Sequence, residues 1–120
     1  MVKALFDTNI LIDYLNGREA AQEELGRYPR RLISVVTWME LLVGGHDDAE
    51  TDVIEMFLRD FEVVDITRAV AREAVSIRRG HRLRLPDAII WASARANSAL
   101  LVTRNTKDFP ATEPDVRRPY

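Results

Sequence analysis

The feature that most constrains this sequence is a regular alternation of segments with strand character and segments with helical character. Four short segments rich in β-branched and apolar residues are predicted as strands, at residues 2–7, 31–37, 61–66 and 99–105. Helices are predicted at residues 8–16, 18–27, 37–44, 48–60, 67–79 and 86–97, and a short edge strand is predicted near Val116. Because strands that alternate with helices pair in parallel, we expect one α/β domain over residues 1–120, with helices on both faces of a parallel sheet.

Capping residues define several of these helix boundaries. Thr37 is predicted to open the helix at 37–44, and its spacing from Glu40 is that of a capping box. Thr67 is predicted to cap the helix at 67–79, and Pro86 suits the first turn of the helix at 86–97. The helix that follows the second strand is therefore expected to start at Thr37.

Composition excludes several functional classes. The chain has no cysteine, so disulfides, thiolate catalysis and thiolate-bound zinc are excluded. No segment approaches the roughly 18 to 20 apolar residues that span a bilayer, and the N-terminal residues lack the pattern of a signal peptide. We therefore expect a cytoplasmic protein without a membrane partner. The net charge is −2, so any contact with nucleic acid must come from a local basic patch.

Four carboxylates are predicted to meet at one edge of the sheet. Asp7 closes the first strand, Glu40 lies in the helix after the second, and Asp108 follows the fourth. Asp87 stands near the start of the helix that precedes the fourth strand. Ligands of open parallel sheets bind outside the carboxyl ends of the strands. Because clustered carboxylates repel one another, such a group predicts a bound divalent cation, for which Mg²⁺ is suited and which can promote phosphodiester hydrolysis.

Each of these acids also has a purely structural interpretation. Asp7 can cap a helix, Glu40 can complete the capping box, Asp87 can complement a helix dipole, and Asp108 can belong to a surface turn. Their convergence at one predicted edge favours the metal site. Asp13 is interpreted as a solvated helix residue. Short polar side chains near the same edge can orient a carboxylate or a water, namely Thr8, Asn9, Thr103 and Asn105.

Four motifs of the chain resemble those of PIN domains. They are FDTNILIDYL at 6–15, TWMELLVG at 37–44, LPDAIIWASA at 85–94 and LLVTRNTKDF at 100–109, in the family's order. The residues of these motifs and the short length of the chain are most similar to those of VapC-type toxins. The resemblance implies a three-layer α/β/α fold with a parallel sheet of four to five strands, and a Mg²⁺- or Mn²⁺-dependent endoribonuclease that inhibits translation. It also implies a cognate VapB-type antitoxin, a toxin homodimer, a toxin–antitoxin hetero-oligomer, and contact with DNA only through the antitoxin.

The resemblance carries the family's metal ligands onto Asp7 and Asp87, with Glu40 completing the site. Family members usually have an acid directly after the Thr-x pair of the last strand, where this chain has Asn105. Asp108 lies three residues further on, and either residue can fill the fourth position. The number of metal ions, one or two, stays open. Transfer RNA is the first expected substrate and ribosomal RNA the second.

Basic residues lie on both sides of the acidic positions. A run from 78 to 84 precedes the helix of Asp87, and two further cations follow the last strand. A basic rim can guide a phosphate backbone, although cations are also favoured at helix C-termini for structural reasons. The predicted RNA contacts are Arg78, Arg79, Arg82, Arg84, Arg104 and Lys107.

Other function classes fit less well, with one exception. A phosphoacceptor receiver domain needs an acidic pair after the first strand, and a haloacid-dehalogenase-like phosphatase needs Asp-x-Asp there. This chain has Asp7, Thr8 and Asn9 at that point. The alternative that stays open is a PIN-like module with impaired catalysis that acts as a binding or autorepressor partner, because Asn105 brings no charge.

Overall fold

A computed structural model describes residues 2–120, and its centre is a parallel sheet of five strands. The strand order is β3-β2-β1-β4-β5. The strands are β1 (Lys3–Phe6), β2 (Arg30–Ser34), β3 (Glu62–Val64), β4 (Leu100–Val102) and β5 (Val116–Arg117). All four pairings are parallel, so the carboxyl ends of the strands meet at one edge. The predicted parallel sheet is therefore confirmed, including the edge strand at Val116.

In the described part of the chain, six helices cover the sheet on both faces. They are α1 (Thr8–Leu15), α2 (Glu19–Gly26), α3 (Val35–Val43), α4 (Asp48–Leu58), α5 (Arg68–Gly80) and α6 (Leu85–Ala96). Thr67 caps α5 as predicted, since its hydroxyl oxygen accepts the Val70 backbone N–H at 3.2 Å. Within residues 2–120, none of these helices has both the length and the apolar content that crossing a bilayer requires.

Two separate cores hold the three layers together. Successive residues of a strand point to opposite faces, so Leu5 of β1 enters one core while Ala4 and Phe6 enter the other. The first core joins the sheet to α5 and α6 around Trp91, which is fully buried. The second joins it to α1, α2 and α4 around Phe6. This arrangement confirms the α/β/α fold class.

The junction between β2 and α3 differs from the sequence prediction. The segment 31–37 was expected to be a strand, but β2 ends at Ser34 and α3 begins at Val35. The Ser34 hydroxyl oxygen accepts the Val36 backbone N–H at 3.1 Å and so caps the helix. Strand propensity is overridden here because Val36 is buried in the first core as a helical residue. Thr37 lies inside the helix, so the predicted capping box is wrong.

Candidate active site

Asp7 follows β1 directly and is buried, with 5 % of its surface exposed. Its Oδ1 accepts the Thr8 backbone N–H at 2.8 Å, so Asp7 also caps α1. Its Oδ2 accepts hydrogen bonds from the Thr103 hydroxyl at 2.8 Å and from the Asn9 side-chain N–H at 3.2 Å. Helix capping thus accounts for only one of the two carboxylate oxygens.

The electrostatic environment of Asp7 disfavours its negative charge. Burial raises the pKa of Asp7 to about 6, above its ordinary value. The hydrogen bonds from Thr103 and Thr8 oppose this rise, and the nearby charges of Asp87 and Glu40 add to it. A buried carboxylate beside two further acids is an arrangement that a bound cation would relieve.

Glu40 is held by α1 rather than by its own helix. Its Oε1 accepts a hydrogen bond of 2.9 Å from the Thr8 hydroxyl. The same hydroxyl shares a hydrogen bond of 3.0 Å with the hydroxyl of the buried Thr37, which lies one turn before Glu40 on α3. The capping box with Thr37 does not form, so Glu40 has no role in capping its helix. Its carboxylate lies instead at the same edge of the sheet as Asp7.

Asp87 lies in the first turn of α6 and adds a third carboxylate. Burial raises the pKa of Asp87; the Arg84 guanidinium opposes the rise, and the charges of Asp108 and Glu40 add to it. The Arg84 Nε lies 3.7 Å from Asp87 Oδ2, beyond hydrogen-bonding distance. Within residues 2–120 this buried oxygen therefore has no hydrogen-bond partner.

Asn105 and Asp108 form a reciprocal pair in the loop after β4. The Asn105 side-chain N–H donates to Asp108 Oδ2 at 2.9 Å, and the Asp108 backbone N–H donates to Asn105 Oδ1 at 3.2 Å. The Asn105 backbone N–H donates to the Thr103 hydroxyl oxygen at 3.0 Å. Both candidates for the fourth position thus lie together, and the Asp108 charge is close enough to affect Asp87.

The donor set fits a hard divalent cation, although the carboxylates have not converged on one point. Among residues 2–120, no three His, Cys, Asp or Glu side chains stand in metal-ligand geometry. The side chain of Glu40 is exposed and is held by a single hydrogen bond from Thr8, whereas the buried carboxylate of Asp7 accepts three hydrogen bonds. The buried oxygen of Asp87 that accepts no hydrogen bond is the observation that favours a cation, because a buried carboxylate oxygen without a hydrogen bond is costly.

Comparison with known protein families assigns the chain to one of them. The family model described as PIN domain matches residues 4–113. The chain belongs to the PIN-domain family. PIN-domain nucleases generally depend on a divalent metal, in agreement with the oxygen-rich site.

Relatives of this PIN domain refine the assignment. A structure titled toxin-antitoxin complex from Klebsiella pneumoniae has a TM-score of 0.91 and 44 % identity, covering 98 % of both chains. Ribonuclease VapC10 of Mycobacterium tuberculosis is 37 % identical over 91 % of this chain and 87 % of its own. The tRNA(fMet)-specific endonuclease VapC of Shigella flexneri is 31 % identical over 91 % of both chains. The expected class, a PIN-domain ribonuclease of the VapC toxin type, is thereby confirmed at the level of the family.

The predicted basic residues of this PIN domain fall into two groups. Arg78, Arg79, Arg82 and Lys107 are exposed. Arg84 is exposed too and stands beside Asp87. Arg104, in contrast, is half-buried and its guanidinium pairs with Asp13: its Nε lies 2.6 Å from Asp13 Oδ2, and its terminal nitrogen lies 3.1 Å from Asp13 Oδ1. A role of these residues in RNA binding stays a prediction.

The environment of Asp13 differs from the sequence prediction. Asp13 was interpreted as solvated, but 8 % of its surface is exposed, and it accepts hydrogen bonds from Arg104 and Tyr120. Both partners are more than 90 positions away in the sequence, so local pattern cannot reveal them. One signal was available: Asp13 lies four positions after Asn9, which places both on one face of α1.

Proposed function

We propose that this chain is a metal-dependent endoribonuclease and that Asp7, Asp87 and Glu40 hold its metal ion. The observation that carries the proposal is the buried Asp7 carboxylate beside two more acids, one of which has a buried oxygen that accepts no hydrogen bond. Burial raises the pKa of Asp7 to about 6, in keeping with a charge that a cation would relieve. Mg²⁺ is the first choice of ion and Mn²⁺ the second, since the donor set consists of oxygens. Such an ion supplies Lewis-acid chemistry for phosphodiester hydrolysis.

The side chains around these ligands have defined tasks in the proposal. Thr103 and Asn9 hold Asp7 Oδ2 in one orientation, and Thr8 holds Glu40 toward Asp7. Asp108, kept in place by Asn105, adds negative charge beside Asp87 and can accept a proton or orient a water.

The basic residues at the rim form the proposed RNA path. Arg78 and Arg79 end α5, and Arg82 and Arg84 lie between α5 and the first turn of α6, which carries Asp87. With Lys107 they supply positive charge next to an acidic centre that would otherwise repel a phosphate backbone. We infer transfer RNA as the first substrate and ribosomal RNA as the second; the Shigella flexneri relative, named for tRNA(fMet), supports this order.

We further propose that a VapB-type antitoxin segment occupies a groove beside the site. The groove has a volume of about 420 Å³ and lies between α1, α3 and α4, with Ile12, Leu15, Val53 and Ile54 among its lining residues and Glu40 and Glu50 at its margin. Apolar walls with acidic ends suit a segment that carries apolar side chains and a basic residue. The match to a toxin–antitoxin complex supports this occupant. The same proposal includes a homodimer, a toxin–antitoxin hetero-oligomer, DNA contact through the antitoxin, and a cytoplasmic location.

The test of catalysis is cleavage of total transfer RNA by antitoxin-free protein, with Mn²⁺ or with EDTA. We expect Mn²⁺-dependent cleavage that Asp7→Asn and Asp87→Asn each abolish. Asp52→Asn is the matched control, because Asp52 is an exposed aspartate on α4. If neither transfer RNA nor ribosomal RNA is cut by the metal-loaded protein, the endoribonuclease proposal is wrong.

The groove has its own test. Val53 is 63 % exposed within the groove, so Val53→Glu should keep RNA cleavage and lose inhibition by the cognate antitoxin. Val75→Glu, on an exposed position of α5, is the control that should keep both. If the antitoxin inhibits Val53→Glu at the same concentration at which it inhibits wild type, the antitoxin binds outside the groove.

A second candidate function is a binding or autorepressor module with impaired catalysis. Asn105 favours it, because this neutral residue stands where the family usually has an acid. Such a module would gain no thermal stability from Mn²⁺, whereas an intact carboxylate cluster gains it by ligand linkage. A thermal shift with Mn²⁺ therefore separates the two candidates before any RNA is tested.

A further inference from the structure

A second polar network lies next to the candidate active site and is centred on Asp13. Arg104 contacts both oxygens of Asp13, at 2.6 and 3.1 Å, in a bidentate ion pair. The Tyr120 hydroxyl donates to Asp13 Oδ2 at 2.6 Å. Arg18 adds a nitrogen 3.7 Å from Asp13 Oδ2, and its guanidinium lies 4.3 Å from the centre of the Tyr120 ring. Asp13 is thus surrounded by donors although it lies on a mostly apolar helix.

This network joins the loop after β4 to α1 at two points. Asn9 and Asp13 are one helical turn apart on α1 and so share a face. Arg104 meets both of them: its backbone N–H donates to Asn9 Oδ1 at 3.3 Å, and its guanidinium binds Asp13. The backbone at residue 104 is therefore fixed against the helix that begins at Asp7.

The residues on either side of Arg104 are the ones that contact the acidic cluster. Thr103 donates its hydroxyl hydrogen to Asp7 Oδ2 at 2.8 Å. Asn105 holds the Asp108 carboxylate at 2.9 Å. A shift of the loop backbone at residue 104 would displace both contacts together, because these three residues are consecutive.

We propose that Asp13 is a positioning residue for the reaction: through its ion pair with Arg104 it sets the place of Thr103 and Asn105, and hence the geometry of the carboxylates at Asp7 and Asp108. The inference rests on the proposed nuclease function. Burial works against a low pKa at Asp13, but the hydrogen bonds from Arg104 and Tyr120 outweigh it and lower the pKa, which keeps the ion pair charged.

The competing interpretation is that Arg104 is an RNA contact. The geometry argues against it, because two nitrogens of the guanidinium are already committed to Asp13. The two interpretations differ in kinetics. A positioning role predicts that loss of Asp13 lowers kcat and weakens Mn²⁺ binding at unchanged KM for RNA. A role in RNA binding predicts a higher KM at unchanged Mn²⁺ binding.

The experiment compares Asp13→Asn with wild type in two measurements: the Mn²⁺ concentration that gives half of the maximal thermal shift, and the steady-state kinetics of RNA cleavage. Loss of a group that orients metal ligands typically weakens metal binding about 10- to 100-fold. We therefore expect the half-saturating Mn²⁺ concentration to rise by roughly that factor, with a lower kcat that additional Mn²⁺ partly restores.

Asp115→Asn is the matched control. Asp115 also accepts from an arginine, Arg95 at 2.8 Å, and from an aromatic donor, the Trp91 indole N–H at 3.0 Å. The Arg95 guanidinium likewise stacks on the aromatic ring, 4.4 Å from its centre. Asp115 directly precedes β5 and so lies at the amino edge of the sheet, opposite the acidic cluster. The control should lose stability in the same way and keep its Mn²⁺ half-saturation.

If Asp13→Asn does not fold, a milder variant, Tyr120→Phe, tests the same inference. Tyr120→Phe removes one hydrogen bond to Asp13 and keeps the ring that Arg18 contacts. It should raise the Mn²⁺ half-saturation in the same direction by a smaller factor. The inference is overturned if a folded Asp13→Asn, or Tyr120→Phe in its absence, binds Mn²⁺ like wild type, or if only KM changes. If wild type itself neither binds Mn²⁺ nor cleaves RNA, the proposed function fails first and this inference with it.

Discussion

Replacement of Asp7 by asparagine is expected to inactivate the protein and yet to stabilise its metal-free form. Asp7→Asn removes a negative charge that is buried beside Asp87 and Glu40. The amide oxygen can still accept the Thr8 backbone N–H, and the Thr103 hydroxyl can accept from the new amide N–H. The variant therefore loses the electrostatic cost together with one hydrogen bond, the one that the Asn9 side-chain N–H donates to Asp7 Oδ2.

The size of this gain follows from the pKa of Asp7. A rise from 3.8 to about 6 is about two pKa units, and each unit corresponds to about 1.4 kcal/mol. Because the folded state binds the proton more tightly than the unfolded state, this group lowers the free energy of unfolding as the pH rises through this range. At pH 7.5 the cost is fully present, so Asp7→Asn should be more stable than wild type by up to about 3 kcal/mol.

Urea unfolding in EDTA at several pH values measures the effect. The difference in free energy of unfolding between Asp7→Asn and wild type should grow by about 2 kcal/mol from pH 4.5 to 7.5, mostly below pH 6.5. Carboxylates that do not interact with Asp7 contribute equally in both proteins and cancel from the difference. Saturating Mn²⁺ should then stabilise wild type alone, by about 2.7 kcal/mol at one hundred times the dissociation constant.

A difference in the free energy of unfolding that does not depend on pH between 4.5 and 7.5 would contradict this prediction. A lower stability of Asp7→Asn than of wild type in EDTA at pH 7.5 would contradict it equally. Either result would mean that the Asp7 carboxylate carries its charge in the folded state without a cost, and the cation would then not be needed to relieve one.

Three further predictions follow from local contacts. Gly45→Ala should lower the free energy of unfolding by about 1–3 kcal/mol in urea, because a Cβ at that position would overlap the Thr51 hydroxyl oxygen. Ser34→Ala removes the cap of α3 and should cost about 1 kcal/mol in the same assay. Asp87→Asn should lower the kcat of RNA cleavage more than about 100-fold, and Asp108→Asn only about 10-fold, because Asp108 acts through a neighbouring ligand.

Matched variants test each of these expectations. Gly26→Ala meets no atom within 4 Å and should be neutral or slightly stabilising; equal stability of Gly26→Ala and Gly45→Ala would contradict the packing argument. Ser34→Thr retains a capping hydroxyl and should keep most of the stability that Ser34→Ala loses. An Asp108→Asn variant as inactive as Asp87→Asn would make Asp108 a direct metal ligand.

Much of the fold could be predicted because the hydrophobic pattern and the turn residues agree. The alternation of strands and helices determined the parallel sheet, and Thr67 and Pro86 marked helix starts that the structure confirms. The junction after β2 could not be predicted from propensity. Val35 and Val36 have strand propensity, but the Ser34 cap and the burial of Val36 in the core against α6 favour a helix there.

The position of the acidic cluster followed from the topology, whereas its internal contacts did not. Carboxyl ends of parallel strands meet at one edge, so Asp7, Glu40 and Asp108 could be placed from their positions after strands. That Asn105 and Asp108 form one pair depends on the conformation of an irregular loop. The burial of Asp13 depends on residues at the far end of the sequence, and only the folded chain brings them together.

The position of β1 in the middle of the sheet has a consequence for biosynthesis. Asp7 leaves the ribosome well before the Thr103 hydroxyl that orients it, because Thr103 lies 96 positions later in the sequence. Until β4 has been synthesised, β1 has an unpaired side and the acidic cluster lacks the strand on which its loop depends. A nascent chain that has not yet reached β4 therefore cannot assemble the site, so the proposed activity cannot appear until the strands on both sides of β1 have been synthesised.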